Sequence, residues 1–293
     1  ARPEHVFEFV GQSPELRARF RDIACDLTEP RTLELILDVN KPDFIFHLAA
    51  ESHVCRSIDG PRQFMETNIM GTFNLLEAIR KCSPKTRLLH VSTDEVFGEL
   101  ESDEPAFSES TQIKPRSPYA ASKAASDHLV MSYVHTYGLN ASVVNCSNNF
   151  GPNQRGEKRM PRASGASGAS EPVTVYGKGD QIRDWVFVND ACAAMTTAAV
   201  VGLAGKRYCI GGNNERKNLD VIQDVLMAIR TETGQTFECS LEHTNDRPTD
   251  DRRYAVNTSV MKALGWVPSP NYHDHMRQTV RWYLDRLGRK AHA

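Results

Sequence analysis

The feature that most narrows the fold is an alternation in the first half of the chain, where short apolar runs of strand length are separated by longer segments of helical period. The runs Val6–Val10, Phe44–Leu48, Leu88–Ser92 and Ser142–Cys146 read as buried strands. Between them Thr28 is placed to cap a helix with Pro30 in its first turn and Leu33, Ile36 and Leu37 on one side. Phe64, Ile69, Phe73, Leu76 and Ile79 stripe a second helix, and a third runs from Tyr119 to Tyr137 and ends at Gly138. Such alternation predicts an α/β fold, a Rossmann-like doubly wound parallel sheet covered by helices on both faces. From about Gly151 the alternation breaks down before helices at Leu219–Arg230, Ser259–Leu264 and His273–Leu287, the pattern of a smaller mixed second domain.

Charge narrows the partners. The 35 Lys+Arg and 37 Asp+Glu are balanced and scattered, which leaves no footprint for nucleic acid or an anionic membrane and points to a small-molecule substrate. Seven widely spaced cysteines without a CxxC pair signal neither a disulfide framework nor a zinc site, so reduced thiols and a cytoplasmic location are expected. No apolar run approaches the ~20 residues of a membrane span, and with no charged-apolar-small pattern in its first residues no signal peptide is expected.

The chemistry concentrates in two stretches, Ser92-Thr93-Asp94-Glu95-Val96-Phe97-Gly98 and Ser117-Pro118-Tyr119-Ala120-Ala121-Ser122-Lys123. Tyr119 and Lys123 share a helix face, so the ammonium can lower the phenol's pKa for removal of a hydroxyl proton while hydride leaves the same carbon. Ser92-Thr93 closes a buried strand, and strand ends on one edge of such a sheet converge on the ligand crevice. Asp94 and Glu95 add an acid and a base; the bland alternative for them is a solvated turn.

A dinucleotide-binding sheet normally opens with a strand, a glycine-rich turn and a helix, yet no glycine cluster precedes Val6. The first strand, glycine loop and first helix are expected to be absent from this chain, the alternative being a protein without a cofactor loop. Ala163–Ser170 reads as a flexible linker or an engineered replacement, because two glycines and three serines are poor helix interior residues; a close-packing helix is the other reading.

Taken in order, Phe46–Val54, Glu66-Thr67-Asn68, Ser92–Gly98, Ser117–Lys123, Asn145–Pro152, Arg183-Asp184-Trp185, Gly211–Asn218 and Asp246-Arg247-Pro248 resemble the extended short-chain dehydrogenase/reductases. Within them the chain is most similar to nucleotide-sugar 4,6-dehydratases acting on dTDP-glucose. The resemblance implies NAD as cofactor, with Asp26 and Leu27 at its adenine end, Leu48, Ala49, Ala50 and Ser52 along it, Thr67 in contact, and Tyr119 and Lys123 at the nicotinamide end. It implies Ser52, Thr93, Asn149, Lys158, Arg183, Asn218 and Arg247 on the nucleoside-diphosphate sugar, and Thr93, Asp94, Glu95, Tyr119 and Lys123 as the catalytic set, without a metal. Residues 1–150 would hold NAD and 151–293 the sugar nucleotide, with some chain crossover.

The implied reaction dehydrates a nucleoside-diphosphate glucose to its 4-keto-6-deoxy form; dTDP-glucose is favoured and UDP-glucose is open. A homodimer paired through the Phe64–Cys82 and Tyr119 helices is implied as well, with Met65, Met70, Met131 and Tyr133 as spare apolar groups. Epimerases and decarboxylases of the superfamily, which usually lack the paired acids, are the alternative enzymes; a non-catalytic sugar-nucleotide binder is the alternative class. Cys55, where Asp is common, Phe97, where Tyr is common, and Ala163–Ser170 depart from the pattern.

Overall fold

A computed structural model describes residues 4–154, 172–235, 240–246, 248 and 250–286. Its elements are α1 (Glu4–Gly11), α2 (Pro14–Arg19), α3 (Pro30–Asn40), β1 (Phe44–His47), α4 (Val54–Asp59), α5 (Pro61–Phe64), a π-helical stretch (Met65–Met70), α6 (Gly71–Cys82), β2 (Arg87–Thr93), a 3-10 turn (Asp94–Phe97), α7 (Pro118–Tyr137), β3 (Ala141–Cys146), β4 (Asn148–Phe150), β5 (Val173–Tyr176), β6 (Ile182–Phe187), α8 (Val188–Val200), β7 (Arg207–Ile210), β8 (Glu215–Lys217), α9 (Asn218–Thr233), β9 (Leu241–Thr244), α10 (Ser259–Ala263) and α11 (Tyr272–Arg286).

The main sheet is parallel throughout in the order β1-β2-β3-β7. Alternation along β2 and β3 sends Leu88 and Val143 to one face, where Leu33, Leu37, Leu76, Ile79 and Val130 cover them. It sends Leu89 and Val144 to the other, against Ala194 and Ala198 of α8, and this two-sided burial is why the strands are apolar runs. A smaller sheet, β4-β6-β8, packs Phe150, Trp185 and Phe187 against Val221 and Val225 of α9 and Met276 and Val280 of α11. Met261 and Trp266 return to the α8 side of the main sheet.

Four local expectations are corrected. Phe44–Leu48 supplies strand β1 but is not buried, since β1 ends the strand order of the described sheet and Phe44, Phe46 and Leu48 are exposed. Val6–Val10 lies in helix α1, not a strand, with Val6, Phe7 and Phe9 exposed; a helix satisfies its own backbone where no neighbouring strand pairs with it. Thr28 does not cap α3, because its hydroxyl donates to Asp26 Oδ1 at 2.9 Å and the helix starts after Glu29 without a side-chain cap. The stripe expected on one continuous helix changes phase at Met65–Met70, whose wider turn leaves Phe73 36% exposed and buries Leu75, Leu76 and Ile79. Ala163–Ser170, Lys158 and Arg247 fall outside the described residues.

Candidate active site

The register of the main sheet sets Ser92 beside Asn145 and Thr93 beside Cys146 at the C-terminal strand ends. There the chain leaves β2 for the 3-10 turn, with the Thr93 hydroxyl accepting from Glu95 N at 3.3 Å and donating to Asp94 Oδ1 at 3.2 Å. One threonine thereby orients both carboxylate-bearing residues. Opposite, α7 begins with Ser117 accepting from Ala120 N at 3.0 Å and Pro118 in its first turn, which directs Tyr119 into the same space. Lys123, one turn on, is buried and donates to Val91 O at 2.8 Å.

A cleft of about 550 Å³ opens over these residues. Leu48, Ser52, Thr93, Asp94, Glu95, Tyr119, Asn149, Arg183 and Asn218 all line it, which unites expected residues from six separate parts of the chain. Lys123 does not line it but bonds the carbonyl of Val91, which does. Ala49 and Ala50 continue the loop after β1; Asp26 is exposed, accepting from Thr28, and Leu27 O accepts from Asn74 at 2.9 Å. Thr67 sits in the π-helical stretch. Arg183 is buried, donates to Asp251 O at 2.7 Å, pairs with Asp250 Oδ1 at 3.2 Å and stacks on Tyr254 at 4.3 Å. Asn218 donates to Gln181 Oε1 at 2.9 Å and keeps its Oδ1 without a protein partner.

The electrostatics set Asp94, the phenol and Lys123 apart from their ordinary values. Burial, then Glu95 and Asp184, push the Asp94 carboxyl up to about 8, so it holds its proton at neutral pH. Burial and then Glu95 also raise the Tyr119 phenol, while the Thr93 hydroxyl lowers it. The lowering expected of Lys123 does not emerge, and desolvation together with Glu95, Asp94 and Asp127 holds the phenol up. Burial pulls Lys123 itself down to about 8, with Asp127 raising it.

The donor set fits a dinucleotide. The crevice lies at the C-terminal ends of parallel strands, where such ligands bind, and the Ser92 hydroxyl there is buried without a protein partner. Residues that sequence reasoning did not single out complete the frame. Asn68 accepts from Glu51 N at 2.8 Å and donates to Glu51 O at 3.0 Å and Ser122 Oγ at 2.8 Å, pinning the loop after β1 to α7. Asp184 accepts from Gly212 N and Asn214 N, holding the loop before β8. Only the match at Glu66-Thr67-Asn68 and Arg183-Asp184-Trp185 hinted at either. Phe97 packs on Phe107 at 5.2 Å, and Cys55 faces the Tyr176 hydroxyl at 3.9 Å.

The sequence model of the GDP-mannose 4,6 dehydratase family matches residues 4–279. The dTDP-glucose 4,6-dehydratase of Xanthomonas campestris pv. campestris is 45% identical over 272 residues, 88% of this chain and 77% of that protein. The dTDP-glucose 4,6-dehydratase 1 of Escherichia coli is 44% identical over 278 residues, with the same shares. Among solved structures, the DesIV dTDP-glucose 4,6-dehydratase of Streptomyces venezuelae with NAD and TYD bound is similar at TM-score 0.87 and 34% identity, covering 98% of this chain and 85% of that one. The UDP-glucose 4-epimerase of Thermus thermophilus with NAD is similar at TM-score 0.80 and 29% identity, over 88% and 83%.

Proposed function

The chain belongs to the GDP-mannose 4,6 dehydratase family, and from this we infer that it is an NAD-dependent nucleotide-sugar 4,6-dehydratase, converting dTDP-glucose to its 4-keto-6-deoxy form. NAD bound there would supply a hydride acceptor for the sugar's C4 and a hydride donor for C6, with no net redox change. The chain's own residues handle the protons. Tyr119 accepts the C4 hydroxyl proton, with Thr93 orienting that hydroxyl. Glu95 takes the C5 proton, which the C4 ketone has made acidic. Asp94 gives its proton to the C6 hydroxyl, which departs as water. The observation that carries this reading is the buried Asp94 carboxyl, kept protonated in the cleft it shares with Glu95, Thr93 and Tyr119.

Asp26, Leu27, Leu48, Ala49, Ala50, Ser52, Thr67 and Lys123 would hold NAD from residues 1–150. Asn149, Lys158, Arg183, Asn218 and Arg247 would hold the nucleoside diphosphate, largely from 151–293, where cations offset phosphate charge. The test is the Asp94→Asn/Glu95→Gln protein, which should still reduce the nicotinamide in a single turnover with dTDP-glucose yet form no alkali-sensitive 4-keto-6-deoxy product. Product at near wild-type rate would remove both acids from the mechanism; UDP-glucose run in parallel reads the base preference.

The active form is a homodimer in this reading. Met70 is 49% exposed on the π-helical stretch and Phe73 36% exposed on α6, with Met65 and Met131 half-buried nearby in sequence or on α7. Tyr133 drops out of that set, since it is buried and donates to Glu77 at 2.8 Å. A monomer mass by light scattering at micromolar concentration would overturn the dimer. A cytoplasmic location goes with the free cysteines among the described residues, where no helix is long and apolar enough to cross a membrane. Fractionation of the cells that make the protein, with the chain recovered outside the cytoplasm, would count against it.

A further inference from the structure

Beneath the cleft lies a buried polar cluster that the reaction above does not use. Asp127 sits one turn after Lys123 on the same face of α7 and is fully buried. Arg207 Nη1 on β7 donates to its Oδ2 at 2.8 Å and to Asn145 Oδ1 at 2.5 Å. Asn145 Nδ2 bonds Thr93 O at 2.8 Å and reaches Asp127 Oδ2 at 3.4 Å. His90 Nε2 stands 3.5 Å from Asp127 Oδ1.

We propose that Asp127 is a positioning residue of the active site, a buried carboxylate locked by Arg207 and Asn145 that serves as the counter-charge keeping the Lys123 ammonium protonated. This deepens the dehydratase reading and rests on it only for the kinetic consequence. Removing a cation from water without an anion nearby is costly, so a buried lysine stays charged only if the fold supplies one. The groups facing Lys123 from other elements cannot do so. His47 on β1 and His90 on β2 are themselves held neutral, His47 by burial and then His90, His90 by burial and then Lys123. Arg207 is a cation, Asp94 holds its own proton, and the charge that raises Lys123 against burial is that of Asp127. Asp127 is held down to about 2, its His90 and Arg207 neighbours outweighing burial, and so it remains ionised. The Arg207 and Asn145 bonds fix where that charge sits, and the Asn145 bond to Thr93 ties it to the strand end that carries the catalytic turn.

The test is the titration of Lys123 followed by NMR of lysine labelled with ¹³C at Cε, the Lys123 signal being identified by its loss in Lys123→Met. Asp127→Asn keeps the shape and removes the charge, so the Lys123 midpoint should fall by about one to three pH units. The alkaline limb of kcat with dTDP-glucose should move down with it. Arg207→Gln leaves the carboxylate in place and should not lower the midpoint. If Asp127→Asn does not fold, Asp127→Asn/Arg207→Gln, which removes both buried charges together, should show a fall in the same direction but smaller, since the Arg207 cation leaves with the carboxylate. An unmoved midpoint in the folded variant overturns the proposal, whatever its turnover. Failure of wild type to make a 4-keto-6-deoxy product would instead strike the dehydratase reading, since the titration needs no substrate.

Discussion

Replacing Asp94 with Asn should stabilise the protein while abolishing elimination, because the wild-type carboxyl is held where its charge is unwelcome. Asp94 is 2% exposed, and its Oδ2 has no protein hydrogen-bond partner. Burial first, then Glu95 and Asp184, carry its pKa from 3.8 to about 8. Between those values the folded chain keeps a proton that the unfolded chain has released. Stability is therefore full below the unfolded value and falls as pH rises to the folded one, by about 1.4 kcal/mol per unit. Over the whole window the loss amounts to about 6 kcal/mol at most, and by pH 7 about 4 kcal/mol of it has been incurred. Asparagine has no proton to exchange and retains an Oδ1 to accept the Thr93 hydroxyl. The stability difference between Asp94→Asn and wild type should then widen by about 1.4 kcal/mol per unit from pH 5 to pH 8 and level off above. Urea unfolding of both proteins at pH 5, 6, 7, 8 and 9 measures it. A difference that does not change with pH refutes the reasoning, and with it the assignment of Asp94 as an acid kept protonated by its surroundings.

Tyr119→Phe keeps the ring packing and loses the proton acceptor, so kcat should drop about 10²- to 10⁴-fold with KM changed only a few fold; steady-state kinetics retaining more than about a tenth of wild-type turnover would mean another base acts. Arg87 is buried and binds Asn140 Oδ1 and Ser142 Oγ, and the carbonyls of Ala198, Ala199 and Gly202 at the end of α8. Arg87→Met orphans those acceptors and should cost about 3 kcal/mol in urea unfolding, with kcat of the folded protein unchanged; a cost near zero would mean water satisfies them.

The sheet and the α7 helix were legible in the sequence because their signals are local. A strand buried on both faces must be an apolar run, and Ser117, Pro118 and Gly138 bound α7 through bonds made within a few residues of each one. The four-residue spacing of Tyr119 and Lys123 likewise decides that they share a face. Tertiary structure alone decided the rest. Val6–Val10 has the composition of a strand, but strand formation needs a neighbour's backbone, which no local pattern encodes. The phase change at Met65–Met70 moved Phe73 outward and Leu75 inward. Above all, Asp94 and Asp127 are the same residue type on adjoining elements, yet one is driven to about 8 and the other to about 2. Sequence places both carboxylates, but whether each is charged depends on the groups brought to it from far along the chain: His90 and Arg207 hold Asp127 down, whereas burial, Glu95 and Asp184 outweigh Arg183 at Asp94.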